Sequence, residues 1–301
     1  MPGALSPSDG SAPNAARLVA SALRLHWRRS QSELAKFAAR ADRARAHDLR
    51  VALRRLLSAL ELAGALDAPA PAKAVRRLER MLSTLSPLRD LEVEKKAVDA
   101  MSDDEPELAA IAAELEHERA ALARRLSKRL GRFRAAASER ALERTAERLE
   151  ALPSTPDAVK LVVLGRLAHA YAKFDRRRRA VCGADHRALH RARVAFKQYR
   201  YTVEAAMPFL PARAARDLML MKELQDELGA IQDASVLLET LRRLPSLRRR
   251  IGAKRRRALL SALERHRRLL VQSMASVLAA QAGAEPPAFS ELFRWTASAT
   301  A

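Results

Sequence analysis

The sequence predicts an all-α protein whose two halves repeat one helical pattern, and three observations carry that expectation. The first is composition: 49% of the 301 residues are hydrophobic, many of them Ala and Leu, 30% are charged, and there are only 9 Gly. Such a chain is helix-forming material with enough apolar side chains for a core. The second is punctuation. Pro and Gly gather in short clusters, and the intervals between clusters place apolar residues at helical spacing. The third is an internal echo: "HDLRVALRRL" from His47 returns as "HRARVAFKQYRY" from His190, 143 positions later.

In chain order, residues 1–14 are rich in Pro, Gly and Ser with little to bury and read as a tail. Helix breaks are expected at "DAPAPA" after Leu66, "TLSPLRD" around Pro87, "SDDEP" at 102–106, "LPSTPD" at 152–157, "CGAD" at 182–185, "MPFLPA" at 207–212, "DELGA" around Gly229 and "LPS" at 244–246. The intervals read as about eight main helices with short extras. One carries Leu49, Leu53, Leu56, Leu57 and Leu60 on its apolar face, another Met219, Leu220, Leu224 and Leu228. Ser102 with Asp103, and Ser154 with Asp157, are placed to cap helix starts. The interval from Glu107 to Leu152 lacks proline, which permits one very long helix with Gly131 as the point of bending. Residues 283–301 form a second tail, relieved by Phe289, Leu292, Phe293 and Trp295; "FSELFRW" there reads as a cap on the bundle.

Laying residue n on residue n+143 from Ala15 to Asp90 needs no gap. It pairs Leu18 with Leu161, His26 with His169, Asp42 with Asp185, His47 with His190, Arg50 with Arg193, Glu61 with Glu204 and Asp90 with Asp233. Identity is roughly a fifth, against about a tenth from such composition, and the matched His, Arg, Glu and Asp carry more weight than the count. The chain then divides into a first helical repeat at 15–156 and a second at 157–282.

Charge narrows the function. There are 56 Lys plus Arg against 35 Asp plus Glu, a net +21 with pI near 11.2, so a polyanionic partner is expected. Arg greatly outnumbers Lys, which suits bidentate recognition of phosphate, although GC-rich codons also raise Arg. The single Cys182 excludes an intrachain disulfide, and "MPGALSPSDGSAPN" has no secretory pattern, which fits a reducing cytoplasm. The most apolar run, "LVVLGRLAHAYA" from Leu161, is short and carries Arg166 and His169, so no bilayer span and no membrane partner are expected.

On a helix, His47, Arg50 and Arg54 share one stripe, extended backward by Arg43 and forward by Glu61. His186, His190, Arg193, Lys197 and Arg200 repeat it, with Glu204 one turn on. Stacked like charges destabilise a helix by a few tenths of a kcal/mol per pair, so an offsetting ligand is sought, and a row of phosphates fits. A solvated face with snorkelling stems is the plain alternative, which the repetition argues against. Among arginines, His47 and His190 should be neutral when the stripe is empty and gain a proton more easily when phosphate arrives. His186 and His190 have the i, i+4 spacing of metal ligands, but no acidic or thiol ligand accompanies them; neither a metal nor a cofactor is expected.

These motifs resemble those of the CHAD family, the conserved histidine α-helical domain. "HDLRVALRRL" is similar to its hallmark, "HRARVAFKQYRYTVE" from His190 to its second motif, and "MKELQDELGAIQD" from Met221 to a third. The likeness covers roughly residues 15–280 and implies two four-helix bundles related by pseudo-twofold symmetry around a basic central channel that binds inorganic polyphosphate. Carried over position by position, it implies phosphate contacts from His47, Arg50, Arg54, Arg55, His190, Arg193, Lys197, Arg200 and Tyr201. Two departures stand out: Leu57 lies where the second copy has Arg200, and "MLSTLSPLRD" is a weak version of "LQDELGAIQD". Nothing resembles the strand-rich triphosphate-processing domain of other members, so a stand-alone binding domain is expected. Arg43, His26, His169, His186, Arg176, Arg177, Arg178, Arg179, Lys254, Arg255, Arg256 and Arg257 are read as a flanking basic surface.

Three functions follow. A non-catalytic polyphosphate binder, recruited to polyphosphate granules as the resemblance suggests, accounts for both stripes. A nucleic-acid binder shares the charge argument, but 4% aromatic residues offer few stacking platforms. A phosphoryl-transfer enzyme would need metal-holding carboxylates, and the motif supplies only Glu61 and Glu204, read as partners that orient Arg.

Overall fold

The computed structural model describes residues 15–102, 107–133, 135–153, 155–182, 185–210, 212, 214–243 and 252–280. Both tails, the caps expected of Asp103 and Ser154, and the "LPS" break lie outside the described residues. The described chain is helical throughout, with no strand: α1 Ala15–Ala39, α2 Arg43–Ala65, α3 Ala72–Thr84, α4 Ser86–Ser102, α5 Glu107–Gly131, α6 Ala136–Glu150, α7 Pro156–Arg179, α8 His186–Ala206, a 3-10 turn Met207–Phe209, α9 Ala214–Arg243 and α10 Gly252–Ala280.

Local chemistry sets the starts of the two repeated helices. Asp42 caps α2 by accepting from the Arg45 amide at 3.0 Å, and Asp185 caps α8 by accepting from the Arg187 and Ala188 amides at 2.9 and 3.0 Å. The repeat-matched aspartates are therefore caps, which put His47 and His190 at the same place, one turn in from each start. Thr155 caps α7, accepting from the Ala158 amide at 3.3 Å, with Asp157 in the first turn where its charge suits the helix dipole.

Two expected boundaries are corrected. The 107–152 interval is two helices, α5 and α6, because the chain stops being helical at Gly131 instead of bending there. Gly131 faces α1, where an added Cβ would stand 3.6 Å from that of Ala38, and Ser127 Oγ donates to the Ala38 carbonyl at 2.7 Å. In the second half, α9 runs straight through Gly229, whose open surroundings impose no break. A lone glycine disfavours a helix by only about 1 kcal/mol, which flanking packing overrides. Its offset partner Ser86 is followed by Pro87, and there the helix is interrupted between α3 and α4.

Helix α1 packs along α2 and α6, α7 along α8, and α4 along α5, while α2 meets α8 and α4 meets α9 across the repeat boundary. The main core is continuous over both halves, from Leu23, Phe37, Leu49, Leu53 and Leu56 to Phe174, Phe196, Tyr199, Leu228 and Met274. A smaller cluster of Val98, Ile111 and Leu115 with Leu237 and Leu241 joins α4 and α5 to α9. Each fully buried Leu or Phe contributes roughly 1.5–3 kcal/mol, so the α2–α8 and α4–α9 contacts fix the faces that bear the charged stripes. Among the described residues no helix is long and apolar enough to cross a membrane.

Candidate functional site

Helices α2, α4, α8 and α9 enclose a cleft of about 890 Å³. Into it point His47, Arg50, Arg54 and Arg55 from α2, Arg89, Glu92 and Lys96 from α4, Arg193, Lys197, Arg200 and Tyr201 from α8, and Lys222, Gln225, Asp226 and Asp233 from α9, with Arg43 and Asp48 at the α2 end. Ten Lys or Arg thus face four carboxylates. The stripe is basic because the apolar positions of α2 and α8 are spent on the core, Leu49, Leu53 and Leu56 on one helix and Leu189, Phe196 and Val203 on the other.

The middle of the cleft holds cations with few partners. Arg50 is 7% and Arg193 8% exposed, and arginine is seldom so buried without an ion pair. Arg50 Nη1 reaches only the Ser86 hydroxyl at 3.4 Å, and the buried Nε of Arg193 lacks a hydrogen-bond acceptor. Burial, then Arg54 and Arg89, pushes Arg50 down to about 10, and burial with Arg89 does the same to Arg193, so both stay charged at neutral pH. Between them burial, then Arg54, Arg193, Arg89 and Arg50, pushes Lys197 down to about 6, leaving it mostly neutral at pH 7. Glu92 is pushed up to about 7 by burial, against the pull of Arg43, Arg119, Arg50 and Arg89.

The rim is better compensated. Arg200 Nε donates to Gln225 Oε1 at 2.9 Å and its Nη1 lies 3.6 Å from Glu204, which also pairs with Arg55. The Arg200 guanidinium stacks on Tyr201 at 4.4 Å from the ring centre, with Arg54 at 6.0 Å. Glu204 orients Arg, as its position suggested; Glu61 pairs instead with Arg166 at 3.7 Å. His47 is held below the usual histidine range by burial and by Arg54, Arg50 and Lys197, against Asp48.

The structure therefore gathers eight of the nine motif residues. His190 lies one cavity further along, its Nδ1 donating to Gln232 Oε1 at 2.5 Å. His186 shares that neighbouring cavity, and burial with Arg267 and Arg187 lowers its pKa. Among the flanking residues only Arg43 reaches the cleft. His26 is half-buried on α1 behind the Arg55–Glu204 pair, where burial and Arg55 lower its pKa. His169, Arg176 and Arg177 are exposed on α7, and Arg179 pairs with Asp175 at 2.7 Å. Arg178 does not belong to the basic surface: it is 4% exposed, pairs with Asp175 at 2.5 Å and donates to the Leu278 carbonyl at 3.1 Å, tying α7 to α10. Lys254 and Arg257 are exposed on α10, Arg256 donates to the Arg242 carbonyl, and the Arg255 side chain lies outside the described residues.

Sequence reasoning missed Arg89, Glu92, Lys96, Lys222 and Gln225. A signal for Arg89 existed: it precedes Asp90, the last matched residue of the ungapped overlay, as Gln232 precedes Asp233. Among the described residues no group of three or more His, Cys, Asp or Glu is arranged to hold a metal ion. The arrangement can grip a run of closely spaced negative charges with forked donors.

Comparison with known proteins follows the same line. Residues 21–242 match the model of the CHAD domain. The fold is similar to the crystal structure of the CHAD domain from the plant Ricinus communis, with TM-score 0.66 at 21% identity over 96% of this chain and 92% of that one. It is also similar to PptA from Streptomyces chartreusis, with TM-score 0.53 at 19% identity over 90% of this chain and 99% of that one. No curated protein matches the chain.

Proposed function

The chain belongs to the CHAD family, and from that premise we propose that it is a non-catalytic binder of inorganic polyphosphate, held in the cleft between α2, α4, α8 and α9. The observation that carries this reading is the uncompensated centre of the cleft, where Arg50, Arg193 and Lys197 crowd together with no carboxylate paired to them. A chain bearing about one charge per unit would supply the missing counter-charges, while guanidinium forks grip successive phosphates and counterions are released. Long chains gain by rebinding where short ones leave, so affinity rises with chain length and falls with salt.

Two further features support the reading. Glu204 is engaged by Arg55 and Arg200 and Asp233 by Arg89, which favours holding cations in place over holding a catalytic metal. Aromatic platforms for bases are scarce: Phe196 and Tyr199 are in the core, stacked near Phe174, and Tyr201 is already covered by Arg200. On this reading the halves 15–156 and 157–282 are the two related bundles of the family, and the protein sits in the cytoplasm on polyphosphate granules.

The test is competition at physiological salt. Labelled long-chain polyphosphate on the protein is challenged with unlabelled polyphosphate, single- and double-stranded DNA and pyrophosphate, beside a His47→Ala, Arg50→Ala, His190→Ala, Arg193→Ala variant. Polyphosphate should displace the label at far lower phosphate concentration than either DNA, and the folded variant should lose that preference. Equal competition by DNA, with the variant binding like the parent, would sink the proposal.

A further inference from the structure

The cleft does not end at Arg193. Arg89 and Arg193 also line a second cavity of about 570 Å³, and His190, Gln232 and Val236 carry that one into a third of about 810 Å³. The three share walls in series along α8 and α9. From Arg200 to His186 the track follows fourteen positions of α8, about 21 Å of helix axis.

The third cavity is basic in its own right. His186, Arg191 and His190 of α8 face Arg242 of α9 and Arg267 of α10, with Glu239 as the carboxylate on its wall. Arg242 is paired with Glu264, but Arg267 has its pKa lowered by burial and by Arg242 and Arg268, the mark of a cation among cations. None of the three motifs contains Arg242 or Arg267, which the continuous α9 and the packing of α10 on it bring to this wall.

Between the cleft and this third cavity stands one ion pair. Arg89 Nη2 lies 3.3 Å from Asp233 Oδ1 and Arg89 Nη1 4.0 Å from Asp90 Oδ1. Asp90 and Asp233 are equivalent positions of the repeat, so the arginine common to both cavities is held between two matched carboxylates, one on α4 and one on α9. An anion lodged in the cleft alone can leave Arg89 where it is. A chain continuing past Arg193 brings phosphates to Arg89 and must take the place of Asp233.

We infer that the third cavity is a second phosphate station, and that the Arg89–Asp233 bridge is the closure a continuous phosphate chain opens to occupy both stations. The inference rests on the polyphosphate reading of the cleft. It makes length discrimination a property of this bridge: short chains bind one station with the bridge intact, and long chains exchange Asp233 for phosphate and add the second station at high effective concentration. Asp233 is 42% exposed on its side chain, so the bridge is weak enough for a ligand to displace.

Calorimetric titration of the full chain with tripolyphosphate and with size-selected long polyphosphate, at one fixed salt, tests it. Asp233→Asn should tighten long-chain binding about two- to fivefold, the range of a partly exposed ion pair, and leave tripolyphosphate within error. His186→Gln with Arg267→Gln should weaken long-chain binding about tenfold or more while tripolyphosphate changes little. Arg140→Gln with Arg144→Gln, exposed on α6, controls for lost net charge, and thermal melts confirm folding. Unchanged long-chain affinity in Asp233→Asn overturns the closure, and equal losses for both ligands in the His186 and Arg267 variant overturn the second station. If the parent protein binds neither ligand, the cleft reading itself has failed, which is visible before any variant is compared.

Discussion

Helices α2 and α8 carry the same residue types at the same spacing, yet the chain braces them differently. On α8, Arg200 is held by Gln225 and Glu204, and His190 by Gln232. At the equivalent positions of the first copy, Leu57 replaces Arg200 and Leu82 replaces Gln225, and both leucines pack against the main core. A polar pair in one half is thus an apolar pair in the other, each internally matched. Arg89 stands where Gln232 stands, and instead of holding a histidine it crosses to Asp233. The lesson is that equal stripes in sequence become unequal walls in space: α8 is a set of oriented donors, while α2 supplies cations with looser support. What remains equal is the centre, Arg50 and Arg193.

The sharpest way to break that comparison is at its symmetric point. Arg50→Ala and Arg193→Ala should each lower polyphosphate affinity about 10- to 100-fold, the range for a charged hydrogen-bonding group lost from a buried site. Fluorescence anisotropy at fixed salt reads both. Similar losses support a shared centre; a loss confined to one of them would assign the ligand to that half alone.

Next in size is the matched pair itself. Arg200→Leu leaves the amide of Gln225 facing a leucine and should destabilise the fold by about 1–3 kcal/mol in urea unfolding. Adding Gln225→Leu recreates the Leu57–Leu82 arrangement and should recover most of that loss. A double variant no more stable than Arg200→Leu would show that the two halves are not interchangeable in packing.

Much of this was legible in the sequence, and the reasons differ by element. The helices could be read because apolar residues recur at helical spacing and Asp42 and Asp185 cap where caps are needed. The stripes could be read because like charges stacked at i, i+3 and i+4 are a local pattern. Arg89 and Gln225 could not, because what qualifies them is α4 and α9 packing against α8, a long-range contact that leaves no local period. Gly229 misled for the opposite reason: a glycine's local preference was outweighed by packing on both sides of it. The same blindness applies to Arg178, a cation in an arginine run that burial converts into a strut.

The smallest predicted effect sharpens the contrast between Arg54 and Lys197, which occupy equivalent positions of the two stripes. Arg54 is charged at every working pH. Lys197, pushed down to about 6 by burial and by Arg54, Arg193, Arg89 and Arg50, is mostly neutral in the empty cleft at pH 7. A polyanion favours its charged form and raises its pKa, so binding takes up a proton at pH values between about 6 and the raised value. Affinity should therefore fall as pH climbs above 6, by up to tenfold per unit for one coupled proton, and level off below 6 where the lysine is already charged. Glu92, pushed up to about 7, acts in the same direction, since its ionisation places a negative charge in the cleft. His47, its pKa lowered, adds its own proton only on the acid side. Calorimetry in buffers of different ionisation heat should register proton uptake at pH 7.5. Lys197→Arg should remove its larger part and Glu92→Gln the remainder. A parent protein that binds with no proton uptake would mean that the ligand never approaches Lys197, and the path of the chain would have to be redrawn along the α2 wall.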